Sequence, residues 1–598
     1  DATINPDFGQ VEVDPAVVNL SDRETFFSEK RPFFIEGQSV FSFGRGGSNN
    51  NWGFNWGNPN FFHSRRIGRA PQGHTPSSDY SHAPDGTRIL GAAKLTGKIG
   101  EGWNFGAIQA VTNHAMADYS IDGEIMDIEV EPLAYYGIAR GQREFGEGKR
   151  AIGFLGTTTA RQFDNDDLRS QINGSAFTGG VDGWTFLDQD RTWVVTGWVG
   201  GTHIKGTQER ILSVQQNPQH YFQRPDFDFI SVDSTATSLS GFAGRAMLNK
   251  QRGKFSLNSA VGLISPSFDA NDLGFQFQTN VINAHVVGGY RWTEPKGIYR
   301  RISVNSALFN SWDFDGNPTW RGWFTNSSTT FKNYYSLFVG GAVNPSSISN
   351  RRSRGGPLMK NLPGVEVFGG IESDSRKRLV VELFGFTYQT ASGDDMNVST
   401  ELEWKPAPNI SLEIEPEYGR SSSKAQWIGA FDDATDLQTF GRRYVFAELS
   451  QTTVSSNIRL NWTFSPSLSL QLFAQPLIAS GEYTNFKYLE RPKSYDFVTF
   501  GEGESTFDSE TLIADPDGAG PAPQIELSNP DFNFKSLRGT AVVRWEFRPG
   551  SRLFLVWTQS RDHFEDNGRL RFGRSFDRLV DAKADNIFVV KFTYWLNR

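Results

Sequence analysis

The chain has 598 residues, 59 basic and 67 acidic side chains, a net charge of −8 and no cysteine. That excludes a disulfide framework and a thiolate metal site, and it lacks the basic excess of a nucleic-acid binder. Mean hydropathy is −0.45, and the absence of any run of about 18 apolar residues excludes a transmembrane helix. A transmembrane β-barrel stays open, because only alternate residues of its strands face lipid. The 50 Phe, 16 Trp and 61 Gly suit many aromatic-rich strands. The first residues carry no basic n-region or apolar h-region, so any signal peptide is expected to have been removed or to lie outside this sequence.

In chain order, residues 1–87 carry Pro, Gly, Asn and charge without sustained alternation. They are expected to form an irregular N-terminal segment with one or two strands, a luminal plug or latch. Residues 88–598 are expected to be the barrel. Hairpins are predicted at 88–99 with 102–114, 131–143 with 149–160, 238–250 with 254–265, and 280–292 with 297–311. A long loop is expected near 205–236. On 376–389 both faces are apolar, which leaves the strand's orientation open.

Ile410, Leu412, Ile414 and Tyr418 oppose Ser411, Glu413, Glu415 and Glu417. The clearest pair follows. Val454, Ile458, Leu460, Trp462 and Phe464 oppose Ser455, Asn457, Arg459, Asn461 and Thr463. Ser465-Pro466-Ser467 turns the chain into Leu468, Leu470 and Leu472, opposed by Ser469, Gln471 and Phe473. Each stretch has about 11 residues, enough for a tilted strand to cross a bilayer. Arg459, Asn461 and Gln471 are expected to point inward and the leucines to lipid. A second long loop, polar and acidic, is predicted near 480–533; barrels carry short turns at one end and long loops at the other, so it is expected to be extracellular. Leu537, Ala541, Val543, Trp545 and Phe547 then alternate again, as do Phe588, Val590, Phe592, Tyr594 and Leu596 at the chain end.

The fold expected is all-β: a large closed antiparallel transmembrane β-barrel of about 22–26 strands, with the N-terminal segment in or across its lumen. Propellers and solenoids would show a fixed repeat, and none is present. Helical periodicity is almost absent.

The most distinctive text is Asn5-Pro6-Asp7-Phe8-Gly9-Gln10-Val11-Glu12 and Glu29-Lys30-Arg31-Pro32-Phe33-Phe34-Ile35-Glu36-Gly37. Ser64-Arg65-Arg66-Ile67-Gly68-Arg69, His220-Tyr221-Phe222-Gln223-Arg224-Pro225 and Asn529-Pro530-Asp531-Phe532 follow. Together these resemble a family of outer-membrane β-barrel proteins of unknown function. Its members often carry an N-terminal domain similar to family-nine carbohydrate-binding modules. In that family the Asn-Pro-Asp-Phe block lies well inside the chain, so the resemblance implies the C-terminal part of a longer protein. It implies architecture and a bacterial outer-membrane location more than chemistry.

Candidate site residues are charged groups set among aromatics or in rows. Glu29, Lys30, Arg31 and Glu36 surround Phe33 and Phe34, and Arg65 and Arg66 follow. They form either a salt-bridged latch or contacts to an anionic or sugar-like solute. Glu413, Glu415 and Glu417 line one strand face, with i,i+2 spacing of about 6.6–6.8 Å. That spacing permits a glycosidase pair, but an aqueous lumen explains it more simply. No zinc spacing, calcium loop, phosphate loop or nucleophile elbow is evident, so no metal, cofactor or catalytic residue is assigned. The function expected is a plugged channel or transporter for small polar solutes. The alternatives are a structural or adhesive platform for a glycan- or protein-binding N-terminal domain, and an outer-membrane hydrolase. Expected partners are outer-membrane lipid and lipopolysaccharide, the barrel assembly machinery during biogenesis, and a saccharide or small polar solute, with no nucleic acid.

Overall fold

In the computed structural model, described for all residues except 7, 9, 10, 101 and 596–598, strands make up 56% of the chain and helices 6%. The fold is all-β and antiparallel, and the main sheet has 23 strands among the described residues. Part of the Asn-Pro-Asp-Phe block and the last residue of the expected C-terminal strand pattern lie outside the described residues.

The chain divides into two compact units. The first comprises residues 1–8, 22–289 and 307–321. Its strands are β1 (Ala2–Ile4), β2 (Tyr80–His82), β3 (Ile89–Ile99), β4 (Trp103–Thr112), β5 (Ala115–Ile121), β6 (Glu124–Glu131), β7 (Leu133–Phe145), β8 (Arg150–Gln162), β9 (Ser175–Phe186), β10 (Trp193–Lys205), β11 (Ser238–Lys250), β12 (Phe255–Ile264) and most of β13 (Val281–Trp292). β3–β4–β7–β8–β9–β10–β11–β12 pair in that order, each antiparallel to the next. β2, β5 and β6 form a separate small sheet. The hairpins expected at 88–114, 131–160 and 238–265 are present, because Gly-rich turns separate alternating runs of the right length.

The two faces of this meander are chemically inverted relative to a soluble sheet. Ile152 and Phe154 are 55% and 48% exposed, whereas Arg140 and Asp182 on the opposite face are 1% and 5% exposed. Leu95, Phe177, Val199, Phe242 and Val261 are likewise exposed, while Lys94, Arg245, Asn249 and Asn258 are buried. A soluble protein buries its apolar face; this unit exposes an apolar face and buries one that carries Lys94, Arg140, Asp182 and Arg245 among Ile108, Tyr136 and Leu155.

Residues 22–87 cover that polar face. Phe34, Phe41 and Ile67 pack on Ile89, Ile108, Ala134 and Tyr136. Trp56 and Phe61 pack on Leu155, Trp198, Ala243 and Ile264. Residues 1–87 are therefore not one body: 22–87 cluster with the strands above, and 9–21 with the second unit. The segment holds one four-residue helix, α1 (Pro32–Ile35), and short 3-10 turns. The expected loop 205–236 contains a helix as well. After α2 (Asp166–Arg169), α3 (Gln208–Gln216) is capped by Thr207, whose hydroxyl accepts from Arg210 N at 3.2 Å, and it buries Ile211 and Val214. Nine residues give too few turns to show a period clearly.

The second unit comprises residues 9–21, 290–306 and 322–598. β14 (Tyr299–Trp312) and β15 (Pro318–Phe331) have residues in both units. There follow β16 (Ser336–Asn344), the small pair β17 (Ser347–Ser349) and β18 (Met359–Asn361), β19 (Gly364–Glu372), β20 (Leu379–Thr390), β21 (Gly393–Ala407), β22 (Ile410–Asp432), β23 (Arg442–Ser465) and β24 (Leu468–Leu489). Short strands β25 (Phe497–Thr499), β26 (Thr506–Asp508), β27 (Ile513–Asp515) and β28 (Ile525–Glu526) precede β29 (Phe532–Arg548), β30 (Ser551–Glu565), α4 (Phe572–Asp581) and β31 (Asp585–Thr593). Pairing runs β15–β16–β19–β20–β21–β22–β23–β24–β29–β30–β31.

The expected 454–478 hairpin is present, with Leu460 opposite Leu472 and Asn461 opposite Gln471. Its strands, however, are 24 and 22 residues long, not about 11. At about 3.3 Å per residue they extend roughly 70–80 Å, more than twice a hydrocarbon core of about 30 Å. The long loop accordingly starts at 490, since 480–489 belong to β24. The extension escapes sequence reading because both of its faces are buried: Tyr444, Val445, Phe446 and Ala447 are successive core residues. Residues from 490–531 pack there, with Phe500, Ala514 and Ile525 on Val445 and Tyr488. Such a stretch has no alternation to detect.

Candidate functional site

In the first unit, the covered face acts as a row of grips on an irregular backbone. Lys94 Nζ of β3 donates to the carbonyls of Phe33 and Glu36, both at 2.7 Å. Asp182 Oδ2 of β9 accepts from Gly44 N at 2.8 Å. Thr196 Oγ1 of β10 donates to Gly46 O at 2.8 Å, and Arg245 Nη2 of β11 to Trp52 O at 2.8 Å. Asn258 Nδ2 of β12 donates to Asn50 O at 3.0 Å, and Asn283 Nδ2 of β13 to Phe54 O at 2.9 Å. Six strands thus each hold the segment between residues 33 and 54. The physical need is plain: its backbone groups make no ladder, so buried ones must find side-chain partners.

The grip at Gly44 rests on a buried ion pair. Arg140 of β7 donates to Asp182 Oδ1 at 2.6 Å and Oδ2 at 2.9 Å. The pair spans β8, passing over Gly153, where a Cβ would lie 2.7 Å from Arg140 Nη1 and 2.8 Å from Asp182 Oδ1. Glycine is needed there for the pair to form. Gly44 and Gly47 have φ of +76° and +77°, and a Cβ on either would collide at 2.4 Å with Trp198 or Trp184. The Gly-rich stretch lets the segment lie close against those indoles.

The site residues divide into three groups, two of them singled out in the sequence. Glu29, Arg31 and Arg66 are brought together around the 3-10 turn Ser64–Arg66. Arg31 Nε and Nη2 donate to Glu29 Oε1 and Oε2 at 2.9 and 2.7 Å, and its guanidinium also donates to the carbonyls of Ile67 and Ser64. Ser64 Oγ donates to Glu29 Oε2 at 2.6 Å. Arg66 donates to Glu24 at 2.6 and 2.8 Å and to Gly274 O at 2.9 Å. Lys30 is half-buried beside them, its backbone N donating to Glu29 Oε1. Arg65 is half-buried, and Glu36 has an exposed side chain. The second group, Glu413, Glu415 and Glu417, lies in the second unit. Arg459 Nη1 is 3.3 Å from Glu413 and 3.8 Å from Glu415, and Arg459 Nε is 3.7 Å from Glu12. Asn457 donates to Glu415 and Asn397 to Glu417. The same strand face carries Glu372 opposite Glu382, Glu382 opposite Glu401, and Glu403 opposite Glu413. Segment 11–21 reaches this face, with Ala16 N donating to Gln475 Oε1 at 2.8 Å. The third group is what sequence reasoning missed, the gripping residues Lys94, Asp182, Thr196, Arg245, Asn258 and Asn283. Their only sequence signal is polarity on one face of each strand.

Burial alone would push the Glu29 carboxyl up, but the hydrogen bonds and charge of Arg31, with Ser64, hold it below its ordinary value. A depressed carboxylate contributes stability above its unfolded pKa and loses it as pH falls through the folded one. The latch is therefore expected to be intact at neutral pH and to loosen below the ordinary Glu value of ~4.3. Hydrogen exchange of residues 29–67 across pH 3–7 checks this; Glu29→Gln should remove the acid-dependent step, and an unchanged step would reject it. His63, by contrast, is lowered to about 4 by burial and by Arg66, so it stays neutral beside this cluster.

Among the described residues, two groups have donors suited to a divalent ion. His114, Glu129 and Asp164 place ligand atoms within 4.8 Å of one another, as do Glu401, Glu413 and Glu415. Sequence spacing did not suggest the first, since its members come from the turn between β4 and β5, from β6 and from the loop after β8.

A family model described as a domain of unknown function, DUF5916, matches residues 1–597. No curated protein matches the chain. Among solved structures, the outer membrane transporter YddB from Escherichia coli is similar, with 10% identity and a TM-score of 0.35. The match covers 82% of this chain and 65% of that one, so the chain spans less than two thirds of its length.

Proposed function

We propose, for a chain that belongs to the DUF5916 family, an outer-membrane β-barrel that closes on itself and is plugged by its own N-terminal segment. It serves as a conduit for small polar solutes. One observation carries the reading: the strands expose their apolar face and bury their charged one under residues 22–87. Lipid is the solvent that rewards this inversion. Closure follows from the same premise, because an open sheet edge in hydrocarbon leaves backbone groups without partners. The carboxylate-rich face of β19–β22 then lines water and favours cations. The reading assigns no catalytic step.

In planar bilayers the intact protein is expected to conduct small ions poorly. Removing residues 22–71 should open a large conductance that favours potassium over chloride. High conductance in the intact protein, unchanged by that deletion, would sink the reading. So would anion preference in the open form.

A second reading, a surface platform, is favoured by the length of β22–β24 and the packed body at their far ends. It predicts that replacing residues 500–527 by a short linker abolishes binding of a glycan or protein partner while conductance is unchanged. Equal partner binding by both forms would reject it.

A further inference from the structure

On β30, Leu555 and Trp557 are exposed. Across the ladder they meet Val543 and Ala541 of β29, and Val590 and Phe588 of β31. This is the apolar face read above as facing lipid. Further along the same strands its chemistry changes. No register shift occurs between Asn533 opposite Glu565 and Glu546 opposite Arg552, so parity is kept. Arg561, His563 and Glu565 of β30 and Lys535 of β29 therefore point to the same side as Leu555 and Trp557.

That charged patch is covered. α4 lies over it: Arg561 donates to Val580 O, and Arg574 Nη2 is 3.7 Å from Glu565. Lys535 is 0% exposed and donates to Glu565 Oε2 at 2.5 Å. Ile478 and Ser480 of β24, in the same cross-strand rows, are buried as well. The helix turns Ser575 and Leu579 inward. Outward it presents Phe572, Phe576 and Val580, which are 55%, 46% and 49% exposed at i, i+4 and i+8. The two phenyl rings stack with centroids 6.3 Å apart. The other exposed side chains, those of Arg571, Asp577, Arg578 and Asp581, are charged.

We propose that α4 is a membrane-interface helix that sets Phe572, Phe576 and Val580 into outer-leaflet lipid. It hides the charges of the outward strand face and restores an apolar exterior continuous with Leu555, Trp557 and Phe588. The occupant is lipid because the stripe continues a face that already exposes apolar side chains, and because a helix with one apolar and one charged side lies in the plane of an interface. Arg571 and Arg578 sit at headgroup level. The outer leaflet follows because α4 connects strands at the end that carries the long 490–531 loop, opposite the Ser465–Ser467 turn.

The inference rests on the barrel reading, and the test separates the two. The chain has no cysteine, so Phe576→Cys and Val580→Cys each give a single site for a spin label, and Leu555→Cys reports on the strand face. Each is placed in vesicles of phosphatidylglycerol and phosphatidylethanolamine, with folding verified by heat-modifiable migration. Collision with oxygen, which concentrates in lipid, is compared with collision with a water-soluble nickel chelate. Labels at 576 and 580 are expected to resemble that at 555: accessible to oxygen and shielded from nickel. Lipid exposure at 555 with water exposure at 576 and 580 overturns the helix assignment alone. Water exposure at all three overturns the barrel reading with it.

Discussion

On the barrel reading, Leu472→Arg is expected to destabilise the protein in a bilayer by ~2–4 kcal/mol, the cost of Arg on a lipid-facing position near the midplane, and to abolish much of its assembly. Leu472 lies five residues beyond the Ser465-Pro466-Ser467 turn and pairs with Leu460 on one side and Ala541 on the other. In a crossing of about 11 residues that is the middle. Gln471→Arg is the control. It adds the same charge one residue away on the opposite face, which is exposed and read as hydrated, and it should assemble normally. Urea unfolding in lipid vesicles measures the difference. Equal tolerance of both substitutions would mean the two faces are wrongly assigned.

The second large effect is expected at Arg140. Replacing it with Ala leaves Asp182 buried with no cation, and breaking such a pair costs about 3–5 kcal/mol. The loss should spread to the covering segment, because Asp182 also accepts from Gly44 N. Arg140→Ala is therefore expected to expose residues 43–56 to proteolysis as well as to lower the unfolding midpoint. The double variant Arg140→Met/Asp182→Leu removes both charges and should recover most of the stability but not the protection, since Gly44 N then has no acceptor. Full protection in the single variant would show that the grip does not depend on the pair.

The local pattern determined much of this. Alternation over 454–464 and 468–478, with a Ser-Pro-Ser turn, contains the hairpin, its pairing and the face of each residue, because strand periodicity and turn chemistry are local. Glu29 and Arg31, two residues apart, form their ion pair on the same basis, and Phe33 and Phe34 mark a segment that must be covered. Other features had no local trace. α4 was legible only as Phe572, Phe576 and Val580 at helical spacing, a signal too short to stand out among strands. The far ends of β22–β24 gave no alternation because both faces are packed. The partners of Lys94, Asp182, Arg245 and Asn283 lie between 58 and 229 residues away along the chain. The sequence by itself determined that strands with one apolar and one polar face would form. Only the tertiary structure decided which face is covered and by what, because that choice depends on backbone groups of residues 33–54 meeting side chains from six separate strands.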